Sequence, residues 1–462
     1  MTFWRRSRIF RALTWIALAI VVVLVLPWGY LYWRTERDLQ AELTRIREAG
    51  EPTSLSEVAP ANVPDERNAA ELYQRVFNIN FAAPAPAPSS LFSSSSPEAE
   101  FIEDDYVDGS ANHALARRAL EDPTIAAALD ILRQASERPY CRFPIDWSRD
   151  IVPIGHLISF RQACRWITAR ARLSGHDGDT REALQWCVVG LRVAGHCARD
   201  PQSLAAKLAA SGQHRILSTA EEIMAEAILP REVAFDLLRE LQERETVPDT
   251  RSLLLTARAE SITDYTRMRQ SGTRFPAIDL MKYWSPNDPG MLWLCRLYDT
   301  PLGRPVLSAD GLACLEYYQE MLDRTSRGEP PKRFLQWALN YHGSGLYRYS
   351  VARTEIESMI MTVRMNAIAS TEMELFETAL ALEMHRAVHG QFPERLEALD
   401  EPPGWEIPRD PCSGGALHYE LNALGGYTLY SVGPDLEDDG GASVKRIGIE
   451  QFRGDVVWRG RR

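Results

Sequence analysis

Cysteine is scarce, with seven residues in 462. That is too few for a disulfide framework, and the odd count leaves at least one thiol unpaired within the chain. Bases are outnumbered, 52 Lys and Arg against 63 Asp and Glu, for a net charge of −11. A general nucleic-acid binder needs a basic face to neutralise phosphate, so nucleic acid is not an expected partner. No G-x-x-x-x-G-K-[ST] loop and no G-x-G-x-x-G fingerprint occurs, so no nucleotide is expected. Strand-like alternation is sparse before Pro411, which argues against a β-rich body. Only one apolar run is long enough to cross a bilayer, which excludes a polytopic membrane protein. What remains is 45% hydrophobic and 25% charged, the composition of a globular chain of roughly three domains.

The apolar run is the strongest single signal. Ala12 to Trp33 is 22 residues without a charge. As a helix it would be about 33 Å long, against a hydrocarbon core of about 30 Å. Arg5, Arg6, Arg8 and Arg11 precede it; Arg34 and Arg37 follow, beside Glu36 and Asp38. This bias keeps the N-terminus in the cytoplasm. Trp28, Tyr30, Tyr32 and Trp33 would sit at the far headgroup level. Pro27-Trp28-Gly29-Tyr30 stands where a cleaved signal peptide would carry a small-x-small site, and the first cysteine is Cys141. The reading is an uncleaved, single-pass anchor in the bacterial inner membrane. Residues 12–33 meet lipid, and the bulk of the chain lies in the periplasm or outside.

Beyond the anchor the pattern predicts a mainly α protein with an irregular α-helical extracytoplasmic domain and a C-terminal α+β module. Residues 34–80 read as a juxtamembrane helical and extended segment. Residues 81–110 read as a Pro/Ser-rich and acidic linker, with six acids and no base between Glu98 and Asp108. Residues 111–345 are helix after helix. In particular, Ile154 to Leu173 and Thr180 to Cys197 are joined by a polar turn like a tetratricopeptide hairpin, but with no second copy at a fixed period. Residues 346–462 begin with helix from Arg348 to about His389, either continuous or restarted at a Thr371/Glu374 capping box. Gly390 and Pro393 stop it. Strands are expected at Leu417 to Leu421, Tyr427 to Val432, Val444 to Ile449 and Asp455 to Trp458, a small antiparallel sheet.

Four motifs in this last stretch occur in a telling order. They are Ala379-Leu380-Ala381-Leu382-Glu383 with His389-Gly390-Gln391-Phe392-Pro393, then Pro408-Arg409-Asp410-Pro411 with Gly414, then Tyr427-x-x-Tyr430-Ser431-x-Gly433-x-Asp435, and a closing Asp455-x-x-Trp458. Together they resemble the C-terminal module of the major pseudopilin of type II secretion, over about a fifth of the chain. Pseudopilins place the anchor directly before this module and carry a Gly-Phe-x-x-x-Glu processing site. Here the anchor lies far upstream, and the N-terminus reads Arg8-Ile9-Phe10-Arg11-Ala12-Leu13. A filament subunit is therefore disfavoured. The layout is similar to a class of large membrane-anchored bacterial proteins, frequent in planctomycetes, with a pseudopilin-like end. The stretch Val63-Pro64-Asp65-Glu66-Arg67-Asn68-Ala69-Ala70-Glu71-Leu72-Tyr73 resembles that class as well. The resemblance brings no catalytic activity with it.

Three constellations have chemistry to offer. His385 and His389 stand i, i+4, a spacing that can hold zinc. The residues between them are Arg386-Ala387-Val388 rather than the E-x-x of H-E-x-x-H, and no third ligand is evident, so the pair reads as surface helix. His342-Gly343-Ser344-Gly345 lacks the first glycine of a G-x-S-x-G nucleophile elbow. Asp435, Glu437, Asp438 and Asp439 place four acids in five residues before Gly440-Gly441. Four adjacent anions repel, and a hard divalent cation offsets this. The spacing opens like an EF-hand, but position 12 is Arg446 where a glutamate belongs. The pseudopilin resemblance implies structural Ca²⁺ in this loop, with Asp435 and Asp455 as ligands by motif and Asp438 and Asp439 as alternatives. The functional expectation is a non-enzymatic envelope scaffold or adaptor, with envelope or secretion proteins as partners. The alternative is an extracytoplasmic hydrolase without a recognisable motif.

Overall fold

The computed structural model describes residues 21–77, 113–148, 152–242, 249–270, 300–340, 351–400, 402–443, 445–447 and 451–461, with 13, 15, 19, 293 and 296–298 besides. The sequence-predicted linker at 81–110 and the serine at 344 lie outside them. The helices are α1 (Leu26–Glu48), α2 (Ala70–Phe77), α3 (His113–Leu120), α4 (Pro123–Ser136), α5 (Gly155–His176) and α6 (Thr180–Ala198). They continue with α7 (Ser203–Glu226), α8 (Arg231–Gln242), α9 (Thr250–Gln270), α10 (Arg304–Ser326), α11 (Pro331–Asn340) and α12 (Val351–His389). The strands are β1 (His418–Leu421), β2 (Tyr427–Ser431), β3 (Lys445–Ile447), β4 (Gln451–Arg453) and β5 (Val456–Gly460). β1, β2 and β5 form one antiparallel sheet in that order, and β3 pairs with β4. Among the described residues no helix is long and apolar enough to cross a membrane. Most of residues 12–20 fall outside the description.

The chain divides into two compact units. One comprises residues 1–58, 254–323 and 342–359; the other comprises 59–253, 324–341 and 360–462. In the first, α1 carries Leu39, Leu43 and Ile46 at helical spacing and buries them with Ile262 and Leu315. Arg258, fully buried, donates to Glu51 at 2.8 Å and to Gln319 at 3.3 Å. Asp310, also buried, takes the Tyr265 and Tyr298 hydroxyls and the Ala352 N–H, which satisfies an orphan donor in the first turn of α12.

The second unit is built on α5, α6 and α7. The α5–α6 hairpin is as expected, with the Asp179 side chain accepting from the Glu182 N–H to cap α6. These helices pack closely at Gly190. A Cβ there would stand 2.7 Å from the end of the Ile216 side chain and 3.1 Å from Ile167, so a larger residue would require Ile216 to shift. The Asn68-Ala69-Ala70-Glu71-Leu72-Tyr73 stretch turns out to be structural. The Asn68 side chain caps α2 through the Ala70 N–H and also exchanges hydrogen bonds with both backbone groups of Arg142. The buried Tyr73 hydroxyl shares a hydrogen bond with His196 Nδ1 at 2.8 Å. His196 Nε2 faces the Arg138 carbonyl at 2.9 Å, which can only accept, so Nε2 carries a hydrogen.

Residues 360–462 belong to this same compact unit. Phe376, Ala379, Leu380 and Leu382 of α12 share one core with Trp166, Leu184 and Ile216 of the helical layer and with Leu429 and Trp458 of the sheet. The Trp458 ring stacks on Phe376 at 5.3 Å. The short strands of this sheet are stabilised by that packing against helices. α12 is a single helix, and no restart occurs at Thr371, whose hydroxyl bonds back to the Ala367 carbonyl instead of capping. Six described cysteines (141, 164, 187, 197, 314 and 412) are buried and unbridged, and burial pushes the thiols of Cys164, Cys187 and Cys412 up to about 12.

Candidate metal centres

Two motifs that lie apart in sequence meet under the sheet. Asp410 is fully buried and accepts from the Cys412 N–H at 2.8 Å, the Ser413 hydroxyl at 2.6 Å and the Ser431 hydroxyl at 2.6 Å. Ser431 in turn accepts from the Gly433 N–H. Gly433 has φ +67° and approaches Gly454 so closely that a Cβ would sit 2.4 Å from its carbonyl oxygen. That close approach brings the acidic loop against the start of β5.

The loop uses its carboxylates on the backbone. Asp455, fully buried, accepts from the N–H groups of Asp439 (3.3 Å) and Gly441 (2.7 Å). Asp435 accepts from Glu437 (3.3 Å) and Gly454 (2.8 Å). Asp438 accepts from the Gly440 N–H and the Tyr430 hydroxyl, and lies 3.8 Å from His418. Burial, with the charges of Asp438 and Asp439 adding to it, pushes the Asp455 carboxyl above its ordinary range. Of the four sequence-predicted calcium ligands, Asp435, Asp438 and Asp439 share one loop, and Asp455, just before β5, holds that loop's backbone. No three of them bring ligand atoms within 4.8 Å of one another.

Among the described residues, the set that does so is His385, His389 and Asp400. α12 ends at His389, and Gly390 takes φ +77° to leave it. Phe392 and Leu396 are buried and fix the returning segment, which carries Asp400 back over the last helical turn. Asp400 Oδ1 lies 2.8 Å from His385 Nδ1 and 3.3 Å from His389 Nε2. The hydrogen bond from His385 holds the exposed Asp400 carboxyl below its usual range. His385 is buried, whereas His389 and Asp400 are open to solvent. The histidine pair is therefore not plain surface helix. It has a third partner eleven residues on, a distance no local spacing rule reaches.

The same unit holds an acidic cleft of about 440 Å³ between α8, α12 and the 402–408 loop, lined in part by Phe235, Glu374, Glu377, Trp405 and Glu406. Burial raises Glu374, and burial together with Glu374 pushes Glu377 up to about 7. No protein-family model, curated protein or solved structure matches the chain.

Proposed function

We propose that the chain is a single-pass, membrane-anchored extracytoplasmic scaffold or adaptor of the bacterial envelope, serving secretion or envelope organisation. The observation that carries this reading is the entry of α1. Val22 to Leu26, Tyr30, Leu31 and Trp33 are exposed apolar side chains. They lead without a break into the turns where Leu39, Leu43 and Ile46 are buried. An exposed apolar stretch of this size calls for cover, and lipid supplies it. The anchor is then a rigid continuation of a folded unit rather than a flexible tether. Introducing Val22→Arg together with Val23→Arg adds about 2.5–3.5 kcal/mol per residue to the cost of spanning. The double variant is expected in the soluble fraction after alkaline carbonate washing, and the parent in the pellet. Equal retention of both would remove the anchor from the account.

Two carboxyls of raised pKa in a cleft with Trp405 support hydrolysis as the second reading. The scaffold is preferred because neither carboxyl has a partner group in a named catalytic arrangement.

In the scaffold reading calcium fixes the 433–441 loop to the start of β5 through Asp435 and Asp455, with Asp438 and Asp439 as alternatives. The support is the pseudopilin resemblance and the crowding of Asp438 and Asp439 on the buried Asp455. The full chain in detergent should melt higher with calcium than with chelator, by about 2.7 kcal/mol at a hundredfold excess over Kd. Asp435→Ala should cancel the difference. An unchanged midpoint for the parent would contradict the calcium site.

A further inference from the structure

We infer that His385, His389 and Asp400 bind a divalent late transition-metal ion, zinc by chemical fit, that clasps the end of α12 to the segment returning from it. One carboxylate oxygen stands within hydrogen-bonding distance of nitrogens from two different imidazoles, at 2.8 and 3.3 Å, and all three ligand atoms lie within 4.8 Å of one another. Zinc bonds of about 2.0–2.2 Å place adjacent ligand atoms of a tetrahedron roughly 3.3 Å apart. The Asp400–His389 pair already stands at that spacing and the Asp400–His385 pair needs to open by about 0.5 Å, while the two ring nitrogens lie within 4.8 Å of each other. Asp400, on an exposed loop, has the freedom to give that.

The donor set decides the class of ion. Two imidazoles and one carboxylate suit zinc, nickel or copper, and they do not suit calcium or magnesium, which take oxygen ligands. The neighbouring cation does not oppose binding, because Arg386 is paired with Glu383 and lies over the Phe392 ring. The inner ligand is preorganised: His385 is buried, and its ring lies 4.2 Å from that of His389. The outer side is open, since the side chains of His389 and Asp400 are 42% and 60% exposed. An ion therefore has an entry path, and water can take the fourth position. The role that follows is a clasp. The turn after His389 has a glycine at its exit, and the ion ties residue 400 to the last helical turn across it. This site is independent of the acidic loop, whose oxygen-rich side chains favour a different ion.

The test uses the full chain in detergent, stripped with chelator and titrated with Zn²⁺ and separately with Co²⁺. The expected result is one ion per chain after equilibrium dialysis, visible-region Co²⁺ absorption of a four-coordinate site, and a raised melting midpoint. Calcium should not displace the ion. Two variants separate a metal site from a merely hydrogen-bonded cluster. Asp400→Asn keeps a side-chain oxygen that can accept from both rings, so a hydrogen-bonded cluster would survive it. A metal site should lose at least tenfold in zinc affinity, because even partners outside the ligand set typically cost 10–100-fold. His389→Gln alters an exposed residue, so the fold should persist while zinc binding falls by a similar factor. Stoichiometric zinc binding that is unchanged in both variants would overturn the assignment, as would a parent chain that retains no zinc.

Discussion

Replacing Glu51 with alanine should cost the first unit about 3–5 kcal/mol, the penalty for leaving a buried charge without its partner. Arg258 is fully buried, and its guanidinium donates to Glu51 at 2.8 Å. Gln319, which also accepts from Arg258 at 3.3 Å, is a neutral acceptor and replaces little of the lost attraction. The pair itself contributes far less than its breakage costs, since ordering and desolvating both ions offsets most of the attraction. The double change Arg258→Met with Glu51→Leu should therefore fall within roughly 1 kcal/mol of the parent. Hydrogen exchange at the amides of α9 reads this unit directly. Fast exchange in Glu51→Ala and near-parental exchange in the double variant are expected. Comparable losses in the two would contradict the account of the pair.

Asp410→Ala should be comparably severe in the second unit. The carboxylate holds one backbone N–H and two hydroxyls, and one of those hydroxyls, Ser431, holds the Gly433 N–H in turn. Truncation leaves these donors unanswered in a buried place, at about 1–3 kcal/mol for each that finds no water, and leaves a void as well. A total of roughly 3–5 kcal/mol is expected, read as faster exchange at the β2 amides and at the acidic loop together. Asp410→Asn keeps one oxygen for the Cys412 N–H and Ser431, and the Ser413 hydroxyl can rotate to accept from the new amide. Its loss should be smaller by at least half. Equal losses would mean that charge, rather than the hydrogen-bond pattern, holds the loop.

Much of the helical body was legible because apolar spacing is a local property. The run Thr180 to Cys197 reads as an amphipathic helix from spacing alone, although in α6 nearly every residue beyond Glu182 is buried. The strands at Tyr427 and Val456 were legible for the same reason, punctuated by glycine. β4 was missed because three residues between turns carry too little pattern. The joining of α12 into one helix was undetermined because Thr371 serves equally well as a cap or as an interior residue that bonds to the i−4 carbonyl. What the sequence hid most fully is pairing at a distance. Glu51 meets Arg258 across 207 positions, and Asn68 meets Arg142 across 74. Asp400 returns to His385 only because Phe392 and Leu396 are drawn into a core contributed by other helices. The acidic loop stands out by composition, yet the N–H groups that its carboxylates hold belong to a backbone conformation that composition does not encode. The two discontinuous units follow from the same cause, since a core gathers residues by surface and not by order in the chain.

The central claim, that the folded body is carried outside the cytoplasm on an uncleaved N-terminal anchor, is tested most directly by topology. Reporter fusions placed after Gly50 and at the C-terminus, each made with a marker active only outside and with one active only inside, should give signal from the exported marker alone at both positions. Activity of the cytoplasmic marker at either position would contradict the claim.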